Sequence, residues 1–242
     1  MRQLLLPALI TLTAACSDGG SNATQPDDVA AAPPPPPPPP PSAIFEVSTV
    51  NLTLGQPLSP IAVVVHDDSF RAFAVGEAAS PGLELLAEAG DNSEFLDEVE
   101  GRVEASGDAP LGPGNRETLT LELDSDDIGG TRISVMTMLV NTNDAITGVN
   151  GIDVSGLEVG DTMRINAIAY DAGTEANSEL AGTIPGPADG GEGFDAARDD
   201  VADQVTMHGG VVTVDDGLGA SVLNQTHRFD NPVARFVITR TQ

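Results

Sequence analysis

The sequence of 242 residues contains no lysine, no tryptophan and a single cysteine. Only 3% of the residues are aromatic, so stacking platforms for bases or sugars are not expected and aliphatic side chains must build the core. One cysteine cannot form an internal disulfide. Ten arginines stand against 37 acidic residues, which gives a net charge of −27. Because nucleic-acid affinity comes largely from cations that neutralise phosphates, this balance excludes nucleic acid as a partner.

Hydrophobic residues make up 40% of the chain, which is enough to bury a full core in one domain or two small ones. Most of the 37 acidic side chains are expected to lie on a solvated surface outside this core. Such a surface also attracts divalent cations.

The first sixteen residues have the pattern of a targeting segment. Arg2 supplies a positive charge, residues 4–12 form a short apolar run, and small residues 13–15 precede Cys16. This order resembles a bacterial lipoprotein signal peptide with its lipobox, and it predicts lipidation of Cys16. An ordinary secretory signal cleaved nearby is the alternative.

A proline-rich tether is predicted over residues 17–43. Nine consecutive prolines, Pro33 to Pro41, favour an extended polyproline II spacer of about 3.1 Å per residue. A ligand for a proline-binding module is the alternative. No other stretch has the roughly 20 apolar residues of a membrane span, so contact with the membrane is expected only through the lipid anchor.

These segments predict a protein of the bacterial cell envelope. Ser17, which follows the cysteine, favours the outer membrane or cell surface over retention at the inner membrane. A secreted or periplasmic protein is the alternative location.

From residue 44 to residue 242 the pattern is that of short strands between turn-forming residues. Residues 117–124 alternate cleanly, with leucines on one face and polar residues on the other. The pattern predicts an all-β fold with minor helices, arranged as a β-sandwich. The other predicted strands are residues 45–54, 61–66, 131–140, 162–170, 210–214 and 233–240.

Two helical segments interrupt the predicted strands. Ser80 and Pro81 suit an N-cap and the first helical position, and Gly90 suits a helix end. A second helix is predicted to begin at Asp91, with an apolar stripe from Phe95 to Val103.

Two segments carry the candidate binding chemistry. Residues 135–149 and residues 167–177 each run from an apolar strand into an aspartate, Asp144 and Asp171. A strand end that presents oxygen atoms suits Ca²⁺, which takes 6 to 8 oxygen ligands. Neither segment contains an arginine, and a bound cation would offset the cost of an unpaired carboxylate near the core. Two turn-capping aspartates are the alternative.

Five stretches, taken in order and with their spacing, resemble the spondin N-terminal domain family over residues 44–242. Bacterial lipoproteins and secreted proteins with this domain are more similar to the chain than the animal matrix proteins are. The five stretches are FEVSTVNLTLGQPLSPIAVVVHD, SPGLELLAEAGDNSEFL, VMTMLVNTNDAITGV, AIAYDAGTEAN and NPVARFVITR.

The resemblance implies a β-sandwich similar to the calcium-binding sandwich of synaptotagmin-like domains, with one Ca²⁺. Its ligands would fall on Asp144, on Asp171 and on the backbone carbonyl of Ala167. Glu175 stands where animal members commonly have Asp, and the cysteines that brace the animal domains are missing.

Other chemistry is weak in this sequence. Residues 124–129 resemble the start of an EF-hand loop, but Ile128 breaks the oxygen pattern, and a hairpin turn is the better prediction. The three histidines are too scattered for a zinc site. The sequence has no nucleophile elbow, phosphate loop or dinucleotide fingerprint.

We therefore expect a membrane-anchored, calcium-binding adhesion or recognition module without enzymatic activity. Its partner would be an extracellular or envelope protein or glycan, and the chain itself is expected to be a monomer. The alternative is an envelope hydrolase that acts on polysaccharide or peptide through carboxylates around Asp144 and Asp171.

Overall fold

The computed structural model describes residues 42–99, 103–197 and 202–242. The predicted signal peptide, Cys16 and the proline run lie outside the described residues. Within the described residues, no helix has the length and hydropathy needed to cross a membrane.

The described chain forms ten strands and two α-helices. The helices are α1 (Pro81–Ala89) and α2 (Ser93–Asp97). The strands are β1 (Ser42–Asn51), β2 (Ala62–His66), β3 (Glu104–Ser106), β4 (Arg116–Asp124), β5 (Arg132–Met138), β6 (Ala145–Asp153), β7 (Thr162–Ala167), β8 (Ala169–Asp171), β9 (Thr206–Met207) and β10 (Ala234–Arg240).

The strands form two antiparallel sheets. The four-stranded sheet has the order β4-β1-β10-β7, and the six-stranded sheet has the order β3-β2-β5-β6-β8-β9. This arrangement confirms the predicted all-β sandwich with minor helices. The likeness to synaptotagmin-like sandwiches stays a prediction.

The central strands of the six-stranded sheet, β2 and β5, are buried on both faces. One face packs against the four-stranded sheet, where Phe45, Phe236 and Val135 share a core. The other face packs against the helices, where Leu86, Phe95 and Met136 form a second core. Burial on both faces explains why β5 shows no alternation between apolar and exposed polar residues, while β4, with one exposed face, alternates.

Helix α1 forms as its end signals predict. The Ser80 hydroxyl accepts a hydrogen bond from the Leu83 N–H at 3.2 Å, and Pro81 occupies the first turn. Gly90 ends the helix with φ 68°, a left-handed conformation that glycine adopts without steric cost. Helix α2 ends at Asp97, so the predicted stripe reaching Val103 is helical only in its first part.

Three other predicted elements differ from the structure. Residues 210–214 form no strand, and a short 3-10 helix follows at Val214–Asp216. The predicted hairpin at residues 124–129 is wrong, because β4 and β5 lie in different sheets. The predicted strand 162–170 divides at Ile168 into β7 and β8, which also join different sheets. That change of sheet carries the chain toward Asp171.

Candidate metal centre

The connection between β5 and β6 ends in four consecutive buried polar residues, Asn141 to Asp144, which form a turn. The Asn141 side chain donates to the Gly55 carbonyl at 2.8 Å and accepts from the Ala188 N–H at 2.9 Å. The Thr142 hydroxyl donates to the Leu139 carbonyl at 2.6 Å. Buried polar groups of this kind are normally hydrogen-bonded, and these bonds hold the turn in one shape.

Asn143 fixes the loop that covers the turn. Its amide donates to the Thr183 hydroxyl at 3.0 Å, and its carbonyl oxygen accepts from the Glu179 N–H at 3.3 Å. Glu179 has a φ of 50°, uncommon for a residue other than glycine. The loop therefore lies over the turn in a conformation that Asn143 helps to determine.

Asp144 is the one member of the turn whose polar atoms are only partly satisfied. Its side chain has 0% exposure. The Oδ2 atom accepts from the backbone N–H groups of Thr174 and Glu175, at 3.0 and 3.1 Å. The Oδ1 atom has no hydrogen-bond partner among the described residues. A buried carboxylate oxygen without a partner is costly, which marks this atom as a candidate cation ligand.

Asp171 lies at the end of β8, directly opposite Ala145 in the β6–β8 register. The pairing brings it next to Asp144, whose backbone carbonyl accepts from the Ala172 N–H at 3.3 Å. The half-buried Asp171 carboxylate accepts from the Gly173 N–H at 2.9 Å through Oδ1 and from the Asn177 amide through Oδ2. The structure thus brings together the two predicted carboxylates from strands that meet in one sheet.

Burial and a neighbouring negative charge raise the pKa of Asp144 well above that of an ordinary aspartate. Desolvation is the larger cause and the neighbouring charge of Asp171 the second, and together they raise the pKa of Asp144 to about 7. The two backbone N–H donors, from Glu175 and Thr174, lower the pKa but do not compensate, and Glu88 adds a smaller increase. No cationic side chain of the described chain contributes to this balance. A divalent cation would supply the missing positive charge.

The third predicted ligand, Ala167, lies in the four-stranded sheet. Its carbonyl accepts from the Val233 N–H at 3.0 Å beside the β7–β10 ladder, while Asp171 belongs to the six-stranded sheet. A carbonyl oxygen has a second lone pair, so this bond does not by itself prevent ligation. The structure does not, however, place Ala167 in the β6–β8 pairing that joins the two aspartates.

The donor set near Asp144 fits a hard cation. Besides the two carboxylates, the buried Thr174 hydroxyl has no hydrogen-bond partner among the described residues, and the Glu175 side chain is 4% exposed. All of these are oxygen donors, which Ca²⁺ prefers. Among residues 42–99, 103–197 and 202–242, no three His, Cys, Asp or Glu side chains form a metal cluster. Asp144 and Asp171 would hold calcium, with hydroxyl, carbonyl or water oxygens completing the shell.

Several residues near the site were not predicted from the sequence. Asn177 joins Asp171 to His208, whose Nε2 lies 3.2 Å from the Asn177 carbonyl oxygen. Burial lowers the pKa of His208, with the charge of Asp171 acting in the opposite direction. Glu88, from α1, is 2% exposed and raises the pKa of Asp144. These groups come from segments far apart in the chain, and no local pattern marks them.

A comparison with protein families identifies the chain. The Spondin_N family model matches residues 53–182, which is more than half of the chain. The chain belongs to the spondin N-terminal domain family. It is thus a spondin-type extracellular module, and the matched residues of this spondin domain include Asp144, Ala167 and Asp171. No curated protein matches the chain.

Proposed function

We propose that this spondin domain is a calcium-binding adhesion or recognition module without catalytic activity. The observation that carries the proposal is the Asp144 carboxylate, which is fully buried, has an Oδ1 atom without a partner among the described residues, and lies beside Asp171. When bound, Ca²⁺ would neutralise this pair of carboxylates and hold the turn at residues 141–144 against the loop at residues 174–175.

The burial of Asp144 also favours a binding role over the hydrolase alternative. A catalytic carboxylate must approach the substrate, either directly or through one water. Asp144 has 0% exposure, and Thr174 and Glu175 cover its Oδ2 atom. In this proposal the raised pKa of Asp144 therefore reflects an incomplete cation site and not a general acid.

Calcium titration tests the proposal. The full-length protein, freed of metal by a chelator, is titrated by calorimetry and melted with and without Ca²⁺, with Mg²⁺ as the comparison. We expect one calcium site, a higher melting temperature with Ca²⁺, and loss of both effects in Asp171→Asn. Asp153→Asn, at the exposed far end of β6, is the matched control. Equal binding by Asp171→Asn and the wild type would show that the proposed site is wrong.

We further propose that the protein is a lipoprotein of the bacterial envelope, anchored through Cys16 at the outer membrane or cell surface. The lipobox-like residues before Cys16 support this, and lipidation with more than one acyl chain gives stable anchoring. Cys16→Ser is expected to move the protein from the membrane fraction to the soluble fraction. Unchanged fractionation of this variant would contradict the anchor.

A further inference from the structure

Strand β6 has an edge that is only partly paired. It pairs with β5 from Ile146 to Asp153, but β8 pairs only with its first three residues, Ala145 to Thr147. Along residues 148–153, no strand of the described chain pairs with the side that faces away from β5. Gly151 lies at a bulge, where its N–H donates to the Ser134 hydroxyl and its carbonyl accepts from Arg132, so the edge open to another strand is residues 148–150. Unpaired backbone N–H and C=O groups on such an edge are a template for another strand.

The free edge lines a cleft between the two sheets, which we name the β6–β7 cleft. It encloses about 960 Å³, a size typical of ligand sites, and its walls include residues 148–152 of β6 and residues 165–167 of β7. The Thr147 hydroxyl donates to the Ile168 carbonyl at 2.9 Å, which joins the two walls where β8 begins. The cleft therefore follows β6 from Gly148 to Ile152.

A lip formed by residues 70–75 covers one side of the cleft and is held in place. Asn150 of β6 accepts from the Ala72 N–H at 3.0 Å and donates to the Phe73 carbonyl at 2.5 Å. The ring of Phe73 packs on Tyr170 with centroids 4.8 Å apart. A fixed lip reduces the ordering that a bound partner must impose, which favours affinity.

The β6–β7 cleft also concentrates side chains that are scarce in this chain. The sequence has seven Phe and one Tyr, and three of these eight, Phe70, Phe73 and Tyr170, line the cleft. Arg71 and Arg132 line it as well, in a chain of net charge −27. Aromatic residues and arginine are the types that contribute most binding energy at protein interfaces.

The two arginines differ in whether neighbouring groups already pair with the guanidinium. Arg132 lies opposite Asp153 and donates to the Gly151 carbonyl at 3.0 Å. Arg71 is exposed and has no ion-pair partner in the part of the chain that the structure describes. Asp68 and Glu77 also line the cleft, so a densely charged polyanion would be repelled. The charges suit a ligand with one carboxylate placed at Arg71.

We propose that the β6–β7 cleft binds an extended peptide segment of another protein, which adds as a strand to β6 and sets an acidic side chain against Arg71. The free backbone groups of β6 would supply the main-chain hydrogen bonds, and the aromatic lip would contact alternate side chains. Ala167 and Tyr170 line the cleft, but neither Asp144 nor Asp171 does, so peptide binding does not require the two carboxylates of the calcium site.

Selection from a display library of random peptides of about eight residues, the length of an ordinary strand, tests this inference on the full-length protein. We expect enriched peptides to share an acidic residue within an alternating apolar pattern. Binding of a selected peptide should increase the protection of backbone amides within residues 148–150 from hydrogen exchange. N-methylation of alternate peptide amides should abolish binding, because it removes the donors that strand pairing needs.

Charge-reversal variants supply the matched controls. Arg71→Glu is expected to weaken binding of the selected peptide at least about tenfold, whereas Arg116→Glu, exposed on β4, should leave it unchanged. Failure to enrich any peptide, or binding unaffected by N-methylation or by Arg71→Glu, would overturn the inference. Protection of the β6 edge that rises with protein concentration in the absence of peptide would also overturn it, because a second copy would then be the occupant.

Discussion

Two aspartates lie at the two ends of β6, and their pKa values are shifted in opposite directions. Asp144 precedes the strand and is fully buried, and its pKa is raised to about 7 by burial and by the charge of Asp171. Asp153 ends the strand and is exposed, and the Ser155 hydroxyl and N–H, at 2.6 and 3.0 Å, lower its pKa. Both carboxylates accept two hydrogen bonds, so hydrogen bonding alone does not determine acidity. Desolvation and an uncompensated neighbouring charge decide the difference.

The largest expected difference between the two aspartates is the effect of their substitution on calcium affinity. Asp144→Asn should lower calcium affinity by about 100-fold or more, because it removes a charged ligand from the proposed site. Asp153→Asn should change the calcium affinity by less than about twofold, because Asp153 is exposed at the far end of β6 and solvent and salt screen its charge. Calorimetry on the two variants, prepared in parallel, measures both. Similar losses in both would mean that general acidity, and not a site at Asp144, attracts the cation.

The second prediction concerns the pH dependence of the metal-free protein. The Asp144 pKa is about 7 in the folded protein and about 4 in the unfolded chain. Between these values the folded state holds a proton that the unfolded chain has lost, so the free energy of unfolding decreases as pH rises. The stabilisation of the folded state by the protonated Asp144 is fully present below about pH 4 and is lost as pH rises through about 7.

Urea unfolding in chelator across this pH range measures the effect as the difference between wild type and Asp144→Asn. Subtracting the variant removes the contributions of the other carboxylates. Saturating Ca²⁺ should flatten the wild-type dependence, because the cation takes the place of the proton. A wild-type curve parallel to that of the variant would contradict the burial of a titrating Asp144.

A third prediction is that the sign of the Asp144→Asn effect on stability depends on calcium. In chelator at about pH 8 the variant should be more stable by about 1 kcal/mol, because a neutral amide replaces a buried charge beside Asp171. With Ca²⁺ present the wild type should be the more stable protein, because binding energy adds to its folding energy. Thermal melts under the two conditions measure the reversal. A variant that is less stable in both conditions would show that the carboxylate has a purely structural role.

The smallest effect is expected at the exposed end of β6. Ser155→Ala should raise the pKa of Asp153 toward its ordinary value, because the hydroxyl bond at 2.6 Å is lost while the N–H bond stays. The melting temperature and the calcium affinity should not change measurably. Carboxyl NMR titration of Asp153 in both proteins checks the shift. A change in the Asp144 titration would mean that the two ends of β6 are coupled.

Where local sequence signals are strong, the fold could be predicted. Helix α1 follows from Ser80, Pro81 and Gly90, which act within a few residues of one another. Alternation in β4 likewise reports one buried and one exposed face. Strand β6 was missed as a separate strand because Gly148 and Gly151 interrupt its apolar pattern. Gly148 is needed there, since a Cβ would lie 2.1 Å from the Val135 carbonyl oxygen.

The candidate site could be predicted only in part. Asp144 and Asp171 each come after an apolar stretch, the family resemblance selects them as calcium ligands, and the β6–β8 pairing places them together. The contributions of Thr174, Glu175 and Glu88 depend on loop and helix packing over long sequence distances. The place of Ala167 depends on the switch between sheets at Ile168, which the strand-like pattern of residues 162–170 does not mark.

Crystals of the protein grown with Ca²⁺ would show whether a cation lies at Asp144. We expect density for one cation in contact with the Asp144 Oδ1 atom and with the Asp171 carboxylate, and no such density in crystals of Asp144→Asn. A water in place of the cation at Oδ1, or no density at Oδ1 in saturating calcium, would contradict the calcium site and leave both aspartates as residues that shape turns.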